Sequence, residues 1–228
     1  MRHSQVTSKL RVGQVAVEFT KKPVSAWSGL AALVGGLLNQ IGFRDWVERS
    51  LPVFESSNNR CGSYSKVLSH LLTVFSGGAR FSHMQWWGHG VEVFERAFEV
   101  SRFAKSSSSL TRFWNKFDSQ GKSEAWLGCA RDFAISLLRW SNVTSGNLNL
   151  DSTVLTRYGR QEGARKGYNP KKHGRVSHHP LLAFVDSGYV ANLWNRSGDV
   201  SSGQGCVSFF RSNGGCVVSF FSHKACAL

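Results

Sequence analysis

Hydrophobic patterning divides the chain into a helical first part and a strand-like second part. Apolar residues recur every three or four positions, which predicts helices near 26–50, 64–77, 90–100, 109–118 and 123–140. Ser109 precedes an apolar run and is predicted to cap the fourth helix. The fifth helix has the clearest apolar stripe, and we expect that stripe to lie in a core: Trp126, Leu127, Ala130, Phe133, Ala134, Leu137 and Leu138.

Two features near the start of the chain bear on where the protein resides. Val15, Val17 and Phe19 alternate with polar residues, which predicts a short strand or arm. The longest uncharged run, 23–43, is interrupted by glycines and amides, and its apolar residues keep helical one-face spacing. The run predicts an amphipathic core helix, and no secretory signal pattern is present. We therefore expect a cytoplasmic protein without a membrane partner.

From about residue 146 the apolar period changes from helical to alternating. Leu148, Leu150, Ser152 and Val154 share one face of a predicted strand. Further apolar runs at 180–185 and 189–194 are separated by Asp-Ser-Gly at 186–188, a sequence typical of turns. The pattern predicts three strands that begin an antiparallel sheet, and hence a mixed α+β fold.

The last 23 residues, 206–228, differ from the rest of the chain. They hold three of the five cysteines, contain no acidic residue and repeat a Gly-Cys-Val-Ser-Phe-Phe-like segment. We interpret this stretch as an aberrant Cys- and Ser-rich tail, in which Phe209 and Phe210 lie uncovered. The predicted organisation is a helical region over 1–145, a sheet-containing region over 146–205 and this tail.

Composition and charge narrow the function classes. The apolar fraction of 41% excludes a disordered chain. The 28 Lys and Arg exceed the 14 Asp and Glu, and the net charge of +14 makes a polyanion, first of all nucleic acid, the expected partner. No CxxC pair supports a zinc site, and no P-loop, GxSxG or HExxH motif supports an NTPase or a motif-bearing hydrolase.

The positive charge is concentrated between residues 157 and 175. Seven cations and one acid, Glu162, give this segment a net charge of +6. With interleaved glycines and two tyrosines, it is predicted to be a flexible loop whose cations follow phosphates and whose rings stack on bases; the alternative is a solvated loop. The predicted nucleic-acid-binding residues are Arg157, Tyr158, Arg160, Arg165, Lys166, Tyr168, Lys171, Lys172 and Arg175.

Four polar residues before and after this segment are further candidates for a functional role. Asp151 lies on the polar side of the first predicted strand, where a carboxylate can hold a divalent metal or, alternatively, cap the strand or pair with an arginine. His178 and His179 point to opposite faces if they are extended, so structural or phosphate-contacting roles are favoured over a shared metal. Asp186 is predicted to be a turn former.

A longer motif surrounds Asp151. The chain has Leu-Asp-Ser-Thr-Val at 150–154, Thr-Arg-Tyr-Gly-Arg-Gln-Glu-Gly-Ala at 156–164, Gly-Tyr-Asn-Pro-Lys-Lys at 167–172 and Ser-His-His-Pro-Leu-Leu-Ala-Phe at 177–184. These residues closely resemble bacterial insertion-sequence DDE transposases of the group 1 type. Segments 19–25, 77–83 and 109–113 resemble the same family, and the resemblance extends to about Arg211.

The resemblance implies a helical DNA-binding region followed by a ribonuclease-H-like catalytic domain. In such enzymes three acidic residues hold two Mg²⁺ (or Mn²⁺) ions, which support nicking of the element ends and attack of the freed 3′ hydroxyl on target DNA. Asp151 matches the first of these acids and is the implied catalytic and metal-binding residue. The implied partners are double-stranded DNA, as terminal repeats and target, and further copies of the chain.

The chain departs from the family pattern after Arg211. The family's second catalytic Asp and its Glu lie beyond the strands present here, and the turn residue Asp186 comes too early in the strand order to replace either of them. We expect a truncated or frameshifted transposase fragment that keeps Asp151 and the basic segment but has an incomplete catalytic domain. The alternative is a non-catalytic DNA-binding protein that regulates or inhibits full-length transposase, by occupying its repeats or by forming mixed oligomers.

Overall fold

The computed structural model describes residues 9–18, 26–55, 61–87, 91–104, 106–143, 146–186 and 188–212. These residues form helices and small antiparallel sheets, so the chain is α+β, as the hydrophobic pattern predicts. They fall into two compact units that divide between Leu127 and Gly128. The part of the resemblance at 19–25 and the tail from 213 onward lie outside the described residues.

The first unit opens with a hairpin of β1 (Lys9–Val12) and β2 (Val15–Glu18). The predicted alternation of Val15 and Val17 is confirmed as a strand, while Phe19 lies outside the described residues. Gly13 turns the chain with a φ of 54°, and a Cβ at this position would collide with the carbonyl of Ala97. Glycine is required here for both reasons.

The other described elements of the first unit are helices, of which the last continues into the second unit: α1 (Ala26–Gln40), α2 (Phe43–Ser50), α3 (Ser63–Phe75), a 3₁₀ helix (Phe81–Trp86), α4 (Val91–Ala97), α5 (Ser107–Trp114) and α6 (Gln120–Trp140). The single helix predicted over 26–50 is wrong, because Gly42 adopts a left-handed φ of 63° and separates two helices. The cap of α5 is Ser106 rather than Ser109, and its hydroxyl accepts a hydrogen bond from the Ser109 N–H at 3.4 Å.

Aromatic rings fill the core of the first unit. Trp87, Phe94 and Phe113 are fully buried, and the Trp87 ring lies 5.6 Å from that of Phe94, centre to centre. The Trp87 indole N–H donates to the hydroxyl of Thr73 at 3.2 Å, which satisfies its one polar atom. None of the described helices is long and apolar enough to cross a membrane.

A buried carboxylate with two ammonium groups stabilises the segment after α2. Glu55 Oε1 lies 3.2 Å from Lys66 Nζ and 3.0 Å from Lys116 Nζ. Lys116 Nζ also donates to the carbonyl of Phe54 at 2.9 Å. Burial alone would raise the pKa of Glu55, but the two ammonium groups outweigh it and hold that pKa below its usual value. The cluster therefore contains a carboxylate that stays ionised inside the unit.

The second unit contains the remaining strands: β3 (Leu148–Ser152), β4 (Leu155–Thr156), β5 (Arg165–Lys166), β6 (Val176–His178), β7 (Leu181–Val185) and β8 (Tyr189–Trp194). β3, β7 and β8 pair in that order and are all antiparallel, which confirms the predicted three-stranded sheet. β4, β6 and β5 form a second antiparallel sheet that the hydrophobic pattern does not predict.

One face of the larger sheet packs on α6 and on the helical residues 206–212. The buried residues of this core are Ile135, Leu138, Leu181, Ala183, Val185, Ala191 and Phe209. The predicted stripe of α6 is only partly right, since it omits Ile135 and includes Leu127, which is 44% exposed. Phe209 is fully buried against Trp194, so the start of the predicted tail belongs to this core, and Phe209 is not uncovered.

Candidate nucleic-acid interface

The predicted DNA-binding residues are placed by the smaller sheet. Its three short strands set Thr156 and Arg165 on either side of Ser177, so the chain loops outward from 157 to 164 and again from 167 to 175. We call the nine predicted residues on these two loops and the strand between them the cationic surface: Arg157, Tyr158, Arg160, Arg165, Lys166, Tyr168, Lys171, Lys172 and Arg175. All are exposed except Arg157, which is partly buried.

The first loop is held by a chain of hydrogen bonds through His178. Arg157 Nε donates to His178 Nδ1 at 2.9 Å, and His178 Nε2 lies 2.9 Å from the carbonyl oxygen of Glu162. A guanidinium can only donate and a carbonyl can only accept, so the imidazole accepts through Nδ1 and donates through Nε2. The buried His178 therefore orients Arg157 and fixes the turn at Glu162.

The second loop is organised by Asn169, whose side chain is almost completely buried. Its amide oxygen accepts hydrogen bonds from the N–H groups of Lys171 and Lys172 at 3.2 and 3.0 Å. Its amide nitrogen donates to the hydroxyl of Thr156 on β4 at 3.0 Å. One buried side chain thus fixes the two lysines relative to the small sheet.

A close crossing of two backbone segments adds to this rigidity. A Cβ at Gly167 would overlap the carbonyl of Gly198, and a Cβ at Gly198 would overlap the carbonyls of Ser177 and Arg165. Only glycine at both positions allows such an approach. The segment is therefore not a single loop as predicted, because Arg165 and Lys166 form β5, and buried polar groups and this crossing connect the loops on either side to the small sheet.

The cations of the cationic surface have few carboxylate partners. Arg165 pairs with Asp199 at 3.4 Å, and both groups are exposed. Among the residues that the structure describes, the other cations of the surface form no ion pair with a carboxylate. Lys172 and Arg175 instead approach the ring of Tyr158, each with its charged group 5.9 Å from the ring centre. These cations remain available to an anionic ligand.

Asp151 lies on the exposed face of β3, opposite Leu182 of β7. Its Oδ1 accepts a hydrogen bond from the Ser152 N–H at 2.7 Å, which orients the carboxylate. No group of three or more His, Cys, Asp or Glu side chains with metal-binding geometry occurs in the described part of the chain. A two-metal site needs several converging carboxylates, so these residues alone do not fit the Mg²⁺ pair that the resemblance implies.

Asp186 has the structural role that its position in a turn predicts. It accepts hydrogen bonds from the backbone and side chain of Asn147 at 2.7 and 3.0 Å, and from the side chain of Asn149 at 3.3 Å. In the register of β3 and β7 it lies four residues along the sheet from Asp151, a separation of about 13 Å. The two carboxylates share a face of the sheet without meeting.

The two adjacent histidines have different hydrogen-bond partners. Both are buried, and His179 Nδ1 donates to the carbonyl of Val200 at 3.0 Å. Its Nε2 then accepts from the hydroxyl of Ser152 at 3.2 Å. His179 thus joins β3 to the turn after β8, while His178 serves the cationic surface.

Sequence reasoning missed Asn169 and Gly198 as residues that shape this surface. The Asn-Pro pair at 169–170 is a turn signal that pointed to Asn169. Gly198 had no local signal, since its partner is 31 residues away in sequence.

The chain was also compared with known proteins. No protein-family model matches it, and no curated protein or solved structure matches it either.

Proposed function

We propose that this chain binds double-stranded DNA through the cationic surface. The observation that carries the proposal is the clustering of exposed Lys and Arg side chains on a backbone held by buried His178 and Asn169. Among the described residues of this surface, Arg165 alone pairs with a carboxylate, that of Asp199. Cations carried on a held backbone neutralise phosphates without the cost of ordering the chain that bears them.

The resemblance to group 1 DDE transposases gives this binding a biological context. We propose that the DNA is an insertion-sequence end or its target, and that the larger sheet is the start of a ribonuclease-H-like domain. The three antiparallel strands, with Asp151 on the first of them, support this proposal. The helical first unit is proposed as a further DNA-binding region, and joint binding by two copies or with full-length transposase is proposed with it.

The test is equilibrium binding of the purified chain to a labelled duplex over a range of salt concentrations. Replacing both Lys171 and Lys172 with Ala is expected to weaken binding about tenfold for each phosphate that the variant can no longer neutralise. The slope of log affinity against log salt should fall by about 0.9 for each such phosphate. Unchanged affinity and slope would overturn the proposal.

A charge-matched control is available on helix α6. Replacing Lys122 and Arg131 with Ala removes the same charge, but both cations are already paired, with Asp118 at 2.8 Å and Asp132 at 3.4 Å. This variant should bind DNA almost as the wild type does. An affinity as low as that of the Lys171 and Lys172 variant would mean that net charge alone drives binding.

Catalysis and regulation differ in what they require of Asp151. A nicking assay with Mg²⁺ or Mn²⁺ on DNA carrying candidate element ends separates them, with Asp151→Asn as the variant. Metal-dependent nicking that this variant loses would assign catalysis to the chain. Tight, salt-sensitive binding without nicking would favour the non-catalytic regulator, and the variant should then bind DNA at least as well, since it removes a negative charge.

A further inference from the structure

The cationic surface exposes two aromatic rings that packing does not explain. Tyr158 and Tyr168 are 69% and 75% exposed, whereas Tyr64 in the first unit is buried. Phosphate neutralisation requires cations and makes no use of aromatic faces. Two exposed rings among exposed cations are the combination with which proteins bind single-stranded nucleic acid.

Both rings extend from backbone positions that are fixed on either side. Tyr158 follows Arg157, which is bonded to the buried His178. Tyr168 lies between Gly167, at the backbone crossing, and the buried Asn169. The rings are therefore presented from a defined backbone, and stacking on them orders little of the protein.

Cations accompany the ring of Tyr158. Lys172 Nζ and Arg175 Cζ each lie 5.9 Å from its centre. A nucleotide whose base stacked on Tyr158 would have cations beside that ring for its phosphate. One ring with two cations thus matches the two parts of a nucleotide, an aromatic base and a charged phosphate.

We propose that Tyr158 and Tyr168 stack on unpaired bases, so that this surface prefers DNA with an unwound or single-stranded segment over intact duplex. The inference rests on the proposed DNA binding and specifies which structural form of DNA the surface prefers. In a duplex both faces of an internal base are covered by its neighbours, so an outside ring reaches a base only where pairing and stacking are interrupted.

The experiment compares the full chain on three probes of the same sequence: an intact duplex, that duplex with a short central mismatched bubble, and a single strand. 2-Aminopurine in the unpaired segment reports stacking through its fluorescence. The wild type should bind the bubble and the single strand more tightly than the duplex and change the 2-aminopurine signal. Tighter binding to the intact duplex would overturn the inference, and so would tighter binding to an RNA strand of the same sequence, measured alongside the three DNA probes, than to the DNA single strand.

Substitutions of the two tyrosines distinguish the contribution of ring stacking to binding from that of charge. Tyr168→Ala and Tyr158→Ala should each weaken binding to the bubble about 5- to 150-fold without changing the salt slope. Tyr168→Phe and Tyr158→Phe keep the ring and should bind within about twofold of the wild type. Tyr189→Ala, on β8 outside the cationic surface, is the matched control and should have no effect.

The outcomes distinguish the two proposals. If the alanine variants bind all three probes as the wild type does while replacement of Lys171 and Lys172 weakens binding, the stacking inference is wrong and DNA binding stands. If the wild type binds none of the probes in a salt-dependent way, the proposed function itself is wrong.

Discussion

The two units use the same kind of side chain in opposite ways. In the first unit, Lys66 and Lys116 meet on the buried carboxylate of Glu55, at 3.2 and 3.0 Å. In the second, Lys171 and Lys172 are exposed and have no carboxylate partner in the part of the chain that the structure describes. Lys66 and Lys116 therefore stabilise the fold, whereas Lys171 and Lys172 are available to bind a ligand.

Net charge does not distinguish the two units. Residues 1–127 contain 16 Lys and Arg against nine Asp and Glu, and residues 128–228 contain 12 against five, so each has a formal net charge of +7. What differs is the position of the carboxylates relative to the cations. A count of charges therefore predicts a polyanionic partner, while the contacts of each cation indicate which of them can reach it.

The largest expected effect follows from removing the charge of Glu55. Glu55→Gln leaves the ammonium of Lys66, which has a side chain only 9% exposed, without its counter-charge. We expect a decrease of about 3 kcal/mol in the free energy of unfolding, or about 10 °C in melting temperature. Thermal unfolding monitored by circular dichroism measures this loss of stability. The DNA affinity should stay the same at temperatures where the variant is folded.

The control for that variant is Glu48→Gln. Glu48 pairs with Arg44 at 3.1 Å, but both side chains are about half exposed, and such pairs contribute less than about 1 kcal/mol. If both variants are destabilised equally, the buried cluster is no stronger than a surface pair, and the contrast between the two units disappears.

A smaller effect is expected from the residue that organises the second loop. Asn169→Ala removes the acceptor of the Lys171 and Lys172 N–H groups and the link to Thr156, without changing the charge. We expect a decrease of about 2 kcal/mol in stability, together with weaker DNA binding. Binding isotherms of the folded variant measure the second effect, with Asn195→Ala, at an exposed position, as the control. Full retention of affinity would show that the lysines bind without being fixed.

The smallest expected effect is in the pH dependence of stability. The pKa of Glu55 is held below its usual value of 4.5 in the folded chain, so folding favours the ionised form. Its stabilisation is then present above about pH 4.5 and is lost as the pH falls through the lowered pKa. The difference in melting temperature between the wild type and Glu55→Gln should shrink from pH 7 towards pH 3. A difference independent of pH would exclude the carboxylate as its source.

The larger sheet could be predicted from the sequence because its signal is local. Leu148, Leu150 and Ser152 alternate with exposed residues as expected, and the turn at Asp186 joins the next two strands. The small sheet could not be predicted, since β4 and β5 have two residues each and cannot show a period. Their pairing with β6 depends on contacts distant in sequence.

The candidate site, too, could be predicted from the sequence only in part. The cations and tyrosines of the cationic surface could be identified from the sequence, because charged and aromatic residues can be recognised without knowing the fold. The partners that fix them were not predicted, since Arg157 and His178 are 21 residues apart. The ion pair of Glu55 with Lys116, whose two residues are 61 positions apart, leaves no sequence pattern for the same reason.

The glycine crossing at residues 167 and 198 has a kinetic consequence. Because these backbone segments touch without intervening side chains, the second loop cannot swing away unless the turn around residue 198 also opens. Encounter with DNA then needs no prior ordering of this loop, and long-range attraction between charges sets the association rate. Association should therefore be fast and should slow steeply as salt is added, while the amide protons of both segments exchange with solvent through one shared opening.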